Sequence, residues 1–419
     1  SRRDCSPANM NIRLLSKLLG ILVLLIGGFM LFSLIWADPK FGAHTNPVVV
    51  GDHAETDGIK GLIYSSIICW ALGALMVFWG RTANEKIFRK EAMAVVGLSW
   101  VLATMLGAMP YVFSGTCRGP SIRVTEDNTF VYVASPRWKL WNAWDKLEVS
   151  PEEFQVIAAV AQTNARGISD RELIAVAGST TAKAAFELAQ QRPQLSPWLL
   201  APGDDSAAPV DRASHYRLRW LPMGAMDAMF EAQSGFSTTG ATVLCDLEDP
   251  YLVPHCILFW RSSTHFLGGL GIIVLFVVLL GQSSAGKALM RTEMPGPTQD
   301  SSNARMQHTA WLFAGVYIGL NIVLALILFL LGMTVFDALC HAFGTMATGG
   351  FSTYNSSLGH FVKNGTNGVI IEYVVILFMT LAGANFSLLF FAVLGNPLKM
   401  IRDAEFKTYL GIIFVSVVL

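Results

Sequence analysis

Long uninterrupted apolar runs, rather than alternating or amphipathic patterns, dominate this chain. A helix needs about 20 mainly apolar residues to cross a bilayer, and that length is met at residues 14–36, 61–80, 92–113, 258–280, 311–331 and 371–394. The first run is followed by further runs and by no small-residue cleavage pattern, so it reads as a membrane helix rather than a removable signal. A seventh run begins near Tyr409 and reaches Leu419 after 11 residues, too few to cross. The expectation is that the sequence stops inside a helix.

The polar segments between the runs orient them. Lys and Arg accumulate on the cytoplasmic side of membrane proteins. Arg13 and Lys17 precede the first run; Arg81, Lys86, Arg89 and Lys90 follow the second; Lys287, Arg291 and Arg305 follow the fourth; Lys399, Arg402 and Lys407 follow the sixth. This alternation predicts a cytoplasmic N-terminus and places 37–60, 114–255 and 332–369 outside. The 419 residues carry 30 basic and 30 acidic side chains, 14% charged in all, against roughly 25% in soluble domains. That argues against a water-soluble enzyme. Zero net charge gives no surplus of cations for a nucleic-acid partner. Six Cys, with no CxxC and no Cys/His ligand spacing, exclude a zinc module or a disulfide scaffold. Cys117 and Cys245 both fall outside and could pair.

One outer segment, 118–221, differs from the rest: it holds 24 of the chain's 60 charged residues, 12 of each sign. It reads as a soluble helical insert. A Ser150-Pro151-Glu152-Glu153 start leads into a helix to about residue 162, a second begins after Ser169-Asp170, and a third covers 181–191. Pro193, Pro197, Pro202 and Pro209 make the remainder a linker. It contains no catalytic constellation.

The other outer stretches hold an internal repeat. Asp227 to Gly240 aligns without a gap on Asp337 to Gly350, with Asp, Ala, Ala, Thr and Gly coinciding in one register. Each copy lies between two apolar runs, as helix, half-length segment, Thr/Gly strip and helix. About ten residues give roughly 15 Å of helix, half the hydrocarbon core, so each segment can enter the membrane but must return. Non-helical backbone at that depth survives only when buried in protein or lining a watery cavity. Gly permits positive φ, and carbonyls aimed in one direction can replace the hydration shell of a monovalent cation. The half-helix also points its negative dipole end at the strip.

These residues resemble a known family. Phe236-Ser237-Thr238-Thr239-Gly240-Ala241-Thr242-Val243, Trp260-Arg261-Ser262, Leu267-Gly268-Gly269-Leu270-Gly271-Ile272, Ala347-Thr348-Gly349-Gly350-Phe351-Ser352-Thr353 and Gly383-Ala384-Asn385-Phe386 are similar to the bacterial TrkH/KtrB potassium-uptake proteins, closer to TrkH. The resemblance implies an all-α polytopic membrane protein with units of the K+-channel type, each a helix, a re-entrant pore helix with its filter, and a helix. Four such units surround one pore, each giving one filter Gly. Gly240 and Gly350 would be two of these, with Thr238, Thr239, Thr348 and Gly349 adding carbonyls. The units map to two N-terminal helices (1–90), a first unit (91–117 and 222–290) interrupted by the insert (118–221), a second unit (291–400), and the start of a third (401–419). The third and fourth filter strips and a gating loop are then absent. By the same resemblance the chain sits in the bacterial inner membrane as a homodimer and meets a cytoplasmic nucleotide-binding subunit of the TrkA type. K+ is the transported ion, and the chain binds no cofactor of its own.

Other candidates carry alternatives. Arg261, near the outer end of the fourth run, either sets the potential at the pore mouth or snorkels to the interface. Asp227 and Asp337 open the pore helices, where an Asp caps free N–H groups and suits the dipole, with ion attraction as the alternative. Gly268, Gly269, Gly271 and Gly383, inside full spans, suit close helix packing, and Asn385 suits a hydrogen bond between helices, the alternative being a place on the inner cavity wall. His255, His265, His308 and His341 have no ligand spacing. Two functions follow: K+ uptake through a carbonyl-lined filter, or a membrane-anchored sensor or scaffold whose insert binds an external partner. No nucleophile-base or metal constellation supports an enzyme.

Overall fold

The computed structural model describes residues 10–38, 55–83, 89–120, 122–124, 130–134, 144–148, 150, 220–244, 247–248, 252–280, 303–364, 367–393, 395 and 397–418. Three long helices come first: α1 (Ile12–Ser33, continued by a 3-10 turn at Leu34–Ala37), α2 (Glu55–Gly80) and α3 (Arg89–Phe113). The Asn11 side chain caps α1 by accepting from the Leu14 N–H at 3.2 Å. Glycines let α1 and α2 approach closely: a Cβ on Gly20 would lie 2.8 Å from the Gly73 carbonyl oxygen, the small-residue contact used by membrane helices. Among the described residues, four helices are long and apolar enough to cross a membrane: Ile12–Ala37, Asp57–Gly80, Met93–Phe113 and Leu312–Leu330. Their outer faces carry Leu75 and Leu330, 65% and 72% exposed, as expected where lipid replaces water.

Between α3 and the first pore helix the chain forms strands. β1 (Cys117–Pro120) pairs antiparallel with β5 (Trp220–Pro222), while β2 (Ile122–Val124), β3 (Phe130–Ala134) and β4 (Trp144–Glu148) make a three-stranded meander in sequence order. The expectation of a helical insert therefore needs correction over these residues. Phe130-Val131-Tyr132-Val133 is a β-branched and aromatic run that favours a pleated surface, a signal masked by the surrounding charges and helix caps. The three helices expected at 150–162, from 169 and at 181–191 lie outside the described residues, as does Cys245. The β1–β5 ladder forms a neck that joins this segment to the bundle. Cys117 N–H donates to the Leu252 carbonyl at 2.8 Å and Met223 N–H to the Thr116 carbonyl at 2.8 Å.

Two units follow. The first is α4 (Ala225–Phe236) and α5 (His255–Leu280); the second is α6 (Asn303–Leu330), α7 (Val335–Met346), a short α8 (Gly359–Asn364) and α9 (Gly368–Ala382). Then come α10 (Phe386–Val393), α11 (Pro397–Arg402) and α12 (Ala404–Val418). At 12 residues each, α4 and α7 are about 18 Å long. The expected span at 371–394 is not one helix: it breaks at Gly383–Asn385 into α9 and α10. The Asn385 carbonyl accepts from Leu388 and Leu389 at 2.9 and 3.1 Å, so the chain restarts there. Hydropathy is blind to such a break because it registers side chains and not backbone direction. Gly383 thus sits at a helix end, not within a span, although a Cβ there would still meet the Tyr409 hydroxyl at 2.5 Å. Asn385 Nδ2 donates to Glu405 Oε2 of α12 at 3.3 Å, the interhelical bond its polarity suggested.

The core runs along α5. Every residue from His255 to Gly268 is buried, with Trp260 Nε1 donating to the Gly107 carbonyl of α3 at 3.1 Å. Phe259 of α5 packs against Trp36, Phe336 and Phe343 with ring centroids 5.0 to 6.2 Å apart.

Candidate functional site: two left-handed strips

Both half-helices end the same way. Thr239 N–H donates to the Ser234 carbonyl at 2.9 Å and Thr238 N–H to that of Gly235 at 3.0 Å; in the second copy, Gly349 donates to Gly344 at 2.8 Å and Thr348 to Thr345 at 3.0 Å. This is the Schellman closure, which requires a left-handed residue just past the helix. That residue is Thr238 (φ 54°) in one copy and Thr348 (φ 53°) in the other. A β-branched residue there is a genuine outlier, and such strain collects at functional positions. Two residues later Gly240 and Gly350 are again left-handed, at φ 77° and 85°.

The strips lie side by side. A Cβ on Gly240 would collide with the Gly349 carbonyl oxygen, while one on Gly350 would meet nothing. Gly349 is buried against the His265 ring, where a Cβ would come within 2.5 Å of a ring carbon. Thr239, Thr348 and Gly350 are exposed, and Thr238 and Gly240 half-buried. Five of the six strip residues are thus at least partly open, Gly349 is buried, and Gly240 and Gly349 touch across the seam. Beyond the glycines the strips are tied together again, Leu247 N–H donating to Asn355 Oδ1 at 2.8 Å and Asn355 N–H to Glu248 Oε1 at 2.9 Å.

Each half-helix also holds its own returning strip. In the first unit Glu231, fully buried, accepts from Thr242 Oγ1 at 2.8 Å and from the Val243 N–H at 3.0 Å. In the second, the His341 ring stands at the equivalent position. Its Nδ1 faces the Asp337 carbonyl at 2.8 Å and so carries the proton, leaving Nε2 to accept from Ser352 Oγ at 3.0 Å. Thr242 Oγ1 accepts from the Leu244 N–H and Ser352 Oγ from the Tyr354 N–H, both at 3.1 Å.

The two Asp residues are not caps. The N-caps are Gly224 and Thr334, and Thr334 Oγ1 accepts from the Asp337 N–H at 3.0 Å. Asp337 instead accepts from Thr353 Oγ1 at 2.7 Å and from the Tyr354 hydroxyl at 3.1 Å. Burial, then the Asp337 charge, pushes the Tyr354 phenol above its ordinary range, so it remains a neutral donor. Asp227 lies 3.6 Å from Arg118 Nη1, at the neck.

Arg261 does not snorkel to the interface: it is 1% exposed and paired inside the protein. Its Nε donates to Glu231 Oε1 at 2.6 Å, its Nη1 to the Ser352 carbonyl at 3.0 Å, and its guanidinium lies 3.5 Å from the Phe351 ring centroid. A charge near a span end reads as interfacial when its partner, here Glu231, lies in another element. The signal is nevertheless present: an ionisable residue stands at the same register of both half-helices, Glu231 and His341.

Two half-helices ending on adjacent left-handed strips inside an apolar helical bundle define a pore-loop membrane protein. The family model described as "TrkH: Cation transport protein" matches residues 207–417, half of the chain, and the chain belongs to this family. The Trk system potassium uptake protein TrkH of Escherichia coli (strain K12) is 40% identical over 196 residues, covering 46% of this chain and 39% of that protein. The TrkH of Halomonas elongata is 42% identical over 168 residues, or 40% and 33% of the two chains. The crystal structure of the potassium transporter TrkH from Vibrio parahaemolyticus superposes with a TM-score of 0.55 at 22% identity, covering 98% of this chain and 58% of that one. The chain thus spans well under half the length of the curated relatives it matches.

Proposed function

We propose that this chain forms part of a K+ uptake pathway. Monovalent cations enter from the outside, exchange hydration water for the carbonyls of Thr238, Thr239, Gly240, Thr348, Gly349 and Gly350, and pass inward. The observation that carries the reading is the recurrence of one left-handed backbone at Thr238/Gly240 and Thr348/Gly350, on strips whose glycine edges touch. Carbonyls held this way suit a dehydrated cation, and the C-terminal ends of α4 and α7 favour positive charge beside them. The membrane potential supplies about 2.3 kcal/mol per charge per 100 mV, so transport needs no nucleotide hydrolysis by this chain and no catalytic residue.

In the resemblance described above, two further strips complete the pore. The same resemblance suggests a homodimer in the bacterial inner membrane, a cytoplasmic N-terminus and a nucleotide-binding subunit of the TrkA type. Rb+ uptake into proteoliposomes containing the protein tests the filter. Gly240→Ser and Gly350→Ser are expected to abolish or strongly reduce it, and undiminished uptake in both would remove the strips from the pathway.

A further inference from the structure

We propose that Arg261 is a positioning residue that sets the spacing between the two strips and, through it, the preference among monovalent cations; this rests on reading the strips as filter segments. α5 belongs to the first unit, yet its guanidinium ends on the second strip. The connection is continuous: the returning strip of unit one is held by Glu231 through Thr242 and Val243, Glu231 is held by Arg261, and Arg261 holds the Ser352 carbonyl and the Phe351 ring. Both charged side chains are essentially inaccessible, 0% and 1% exposed. Buried charges are tolerated only in a geometry that satisfies their hydrogen bonds, so the pair resists displacement of either strip.

The bridge is not a by-product of the repeat. The repeat sets His341 against Glu231 and, by the match of Leu267-Gly268-Gly269 with Leu381-Ala382-Gly383, Val375 against Arg261; among the described residues His341 bonds within its own unit, to Asp337 and Ser352. A planar guanidinium fixes two donor directions at once, which a lysine ammonium on a flexible stem does not. The held atoms are close to the strip glycines in sequence: Ser352 is two residues past Gly350 and Val243 three past Gly240. Discrimination between K+ and Na+ depends on the size and field of the carbonyl cage, so slack at this seam alters preference before it abolishes passage.

The test compares wild type, Arg261→Lys, and the double variant Glu231→Gln/Arg261→Met. Replacing both members of a buried pair by neutral groups is often tolerated, and the new amide can still accept from Thr242 or Val243, so the double variant isolates the loss of the bridge. Two quantities are measured: competition of Na+ with Rb+ uptake in proteoliposomes, and the K+ and Na+ concentrations that half-maximally raise the unfolding temperature in detergent. The double variant is expected to unfold near the wild-type temperature while its K+ over Na+ preference falls about tenfold, equivalent to ~1.4 kcal/mol, in both measurements; Arg261→Lys should fall between. A double variant that keeps the wild-type preference overturns the proposal, as does a lowered unfolding temperature with unchanged preference, which marks a structural role only. Wild-type protein stabilised by K+ over Na+ but carrying no Rb+ would refute conduction while leaving the bridge to be judged by the stabilisation ratio. Wild-type protein indifferent to both ions overturns both.

Discussion

Glycine residues 240 and 350 hold equivalent places in the repeat, yet their surroundings make them unequal. Both are left-handed, which costs a non-glycine residue about 1–2 kcal/mol. Only Gly240 also faces the neighbouring strip's carbonyl, that of Gly349. We therefore expect Gly240→Ala to lower the unfolding temperature clearly and Gly350→Ala to lower it by little more than the backbone strain, while both reduce Rb+ uptake. Thr348 gives the converse test. Its φ of 53° is strained for a β-branched side chain, so Thr348→Gly should leave the fold at least as stable, by about 0–1 kcal/mol, measured by thermal unfolding. At this scale the sequence is informative where the repeat isolates a residue, as with the left-handed pairs Thr238/Thr348 and Gly240/Gly350. It is silent where a residue's role depends on a partner distant along the chain, as with Arg261 and Glu231.

The half-helices owe their definition to their ends more than to their composition. Thr334 caps α7, and Thr334→Ala should cost about 1 kcal/mol. Asp337→Ala should cost more, roughly 1.5–3 kcal/mol, because it strips Thr353 and Tyr354 of a charged acceptor. Thermal unfolding of the two variants in detergent checks the order. The half-length segments are legible because helices so short cannot cross a bilayer, a constraint of length alone. The break between α9 and α10 and the strands β2 to β4 are not legible. One hides inside a continuous apolar run, and the others alternate in a segment whose charge density and helix caps point elsewhere.

For the molecule as a whole, the described residues show no evident carboxylate relay across the apolar helices. The buried carboxylates of the half-helices are each engaged: Glu231 by Arg261, Thr242 and Val243, Asp337 by Thr353 and Tyr354, and Asp227 faces Arg118. Transport coupled only to membrane potential should accumulate Rb+ up to about 50-fold at 100 mV, inside negative, the ratio that ~2.3 kcal/mol supports. Omitting the imposed potential should abolish that accumulation, and persistence under an imposed proton gradient alone would point to a coupled mechanism.

The β1–β5 neck has a practical meaning of its own. Pro120 and Trp220 stand opposite each other in an antiparallel pair, about 5 Å apart, so the chain leaves and re-enters the bundle almost at one point. Whatever lies between them is joined to the membrane part like a pendant on two adjacent cords. A fluorescent or antibody-binding module with neighbouring termini could be spliced there without stretching the bundle, offering a reporter rooted at the start of the first half-helix.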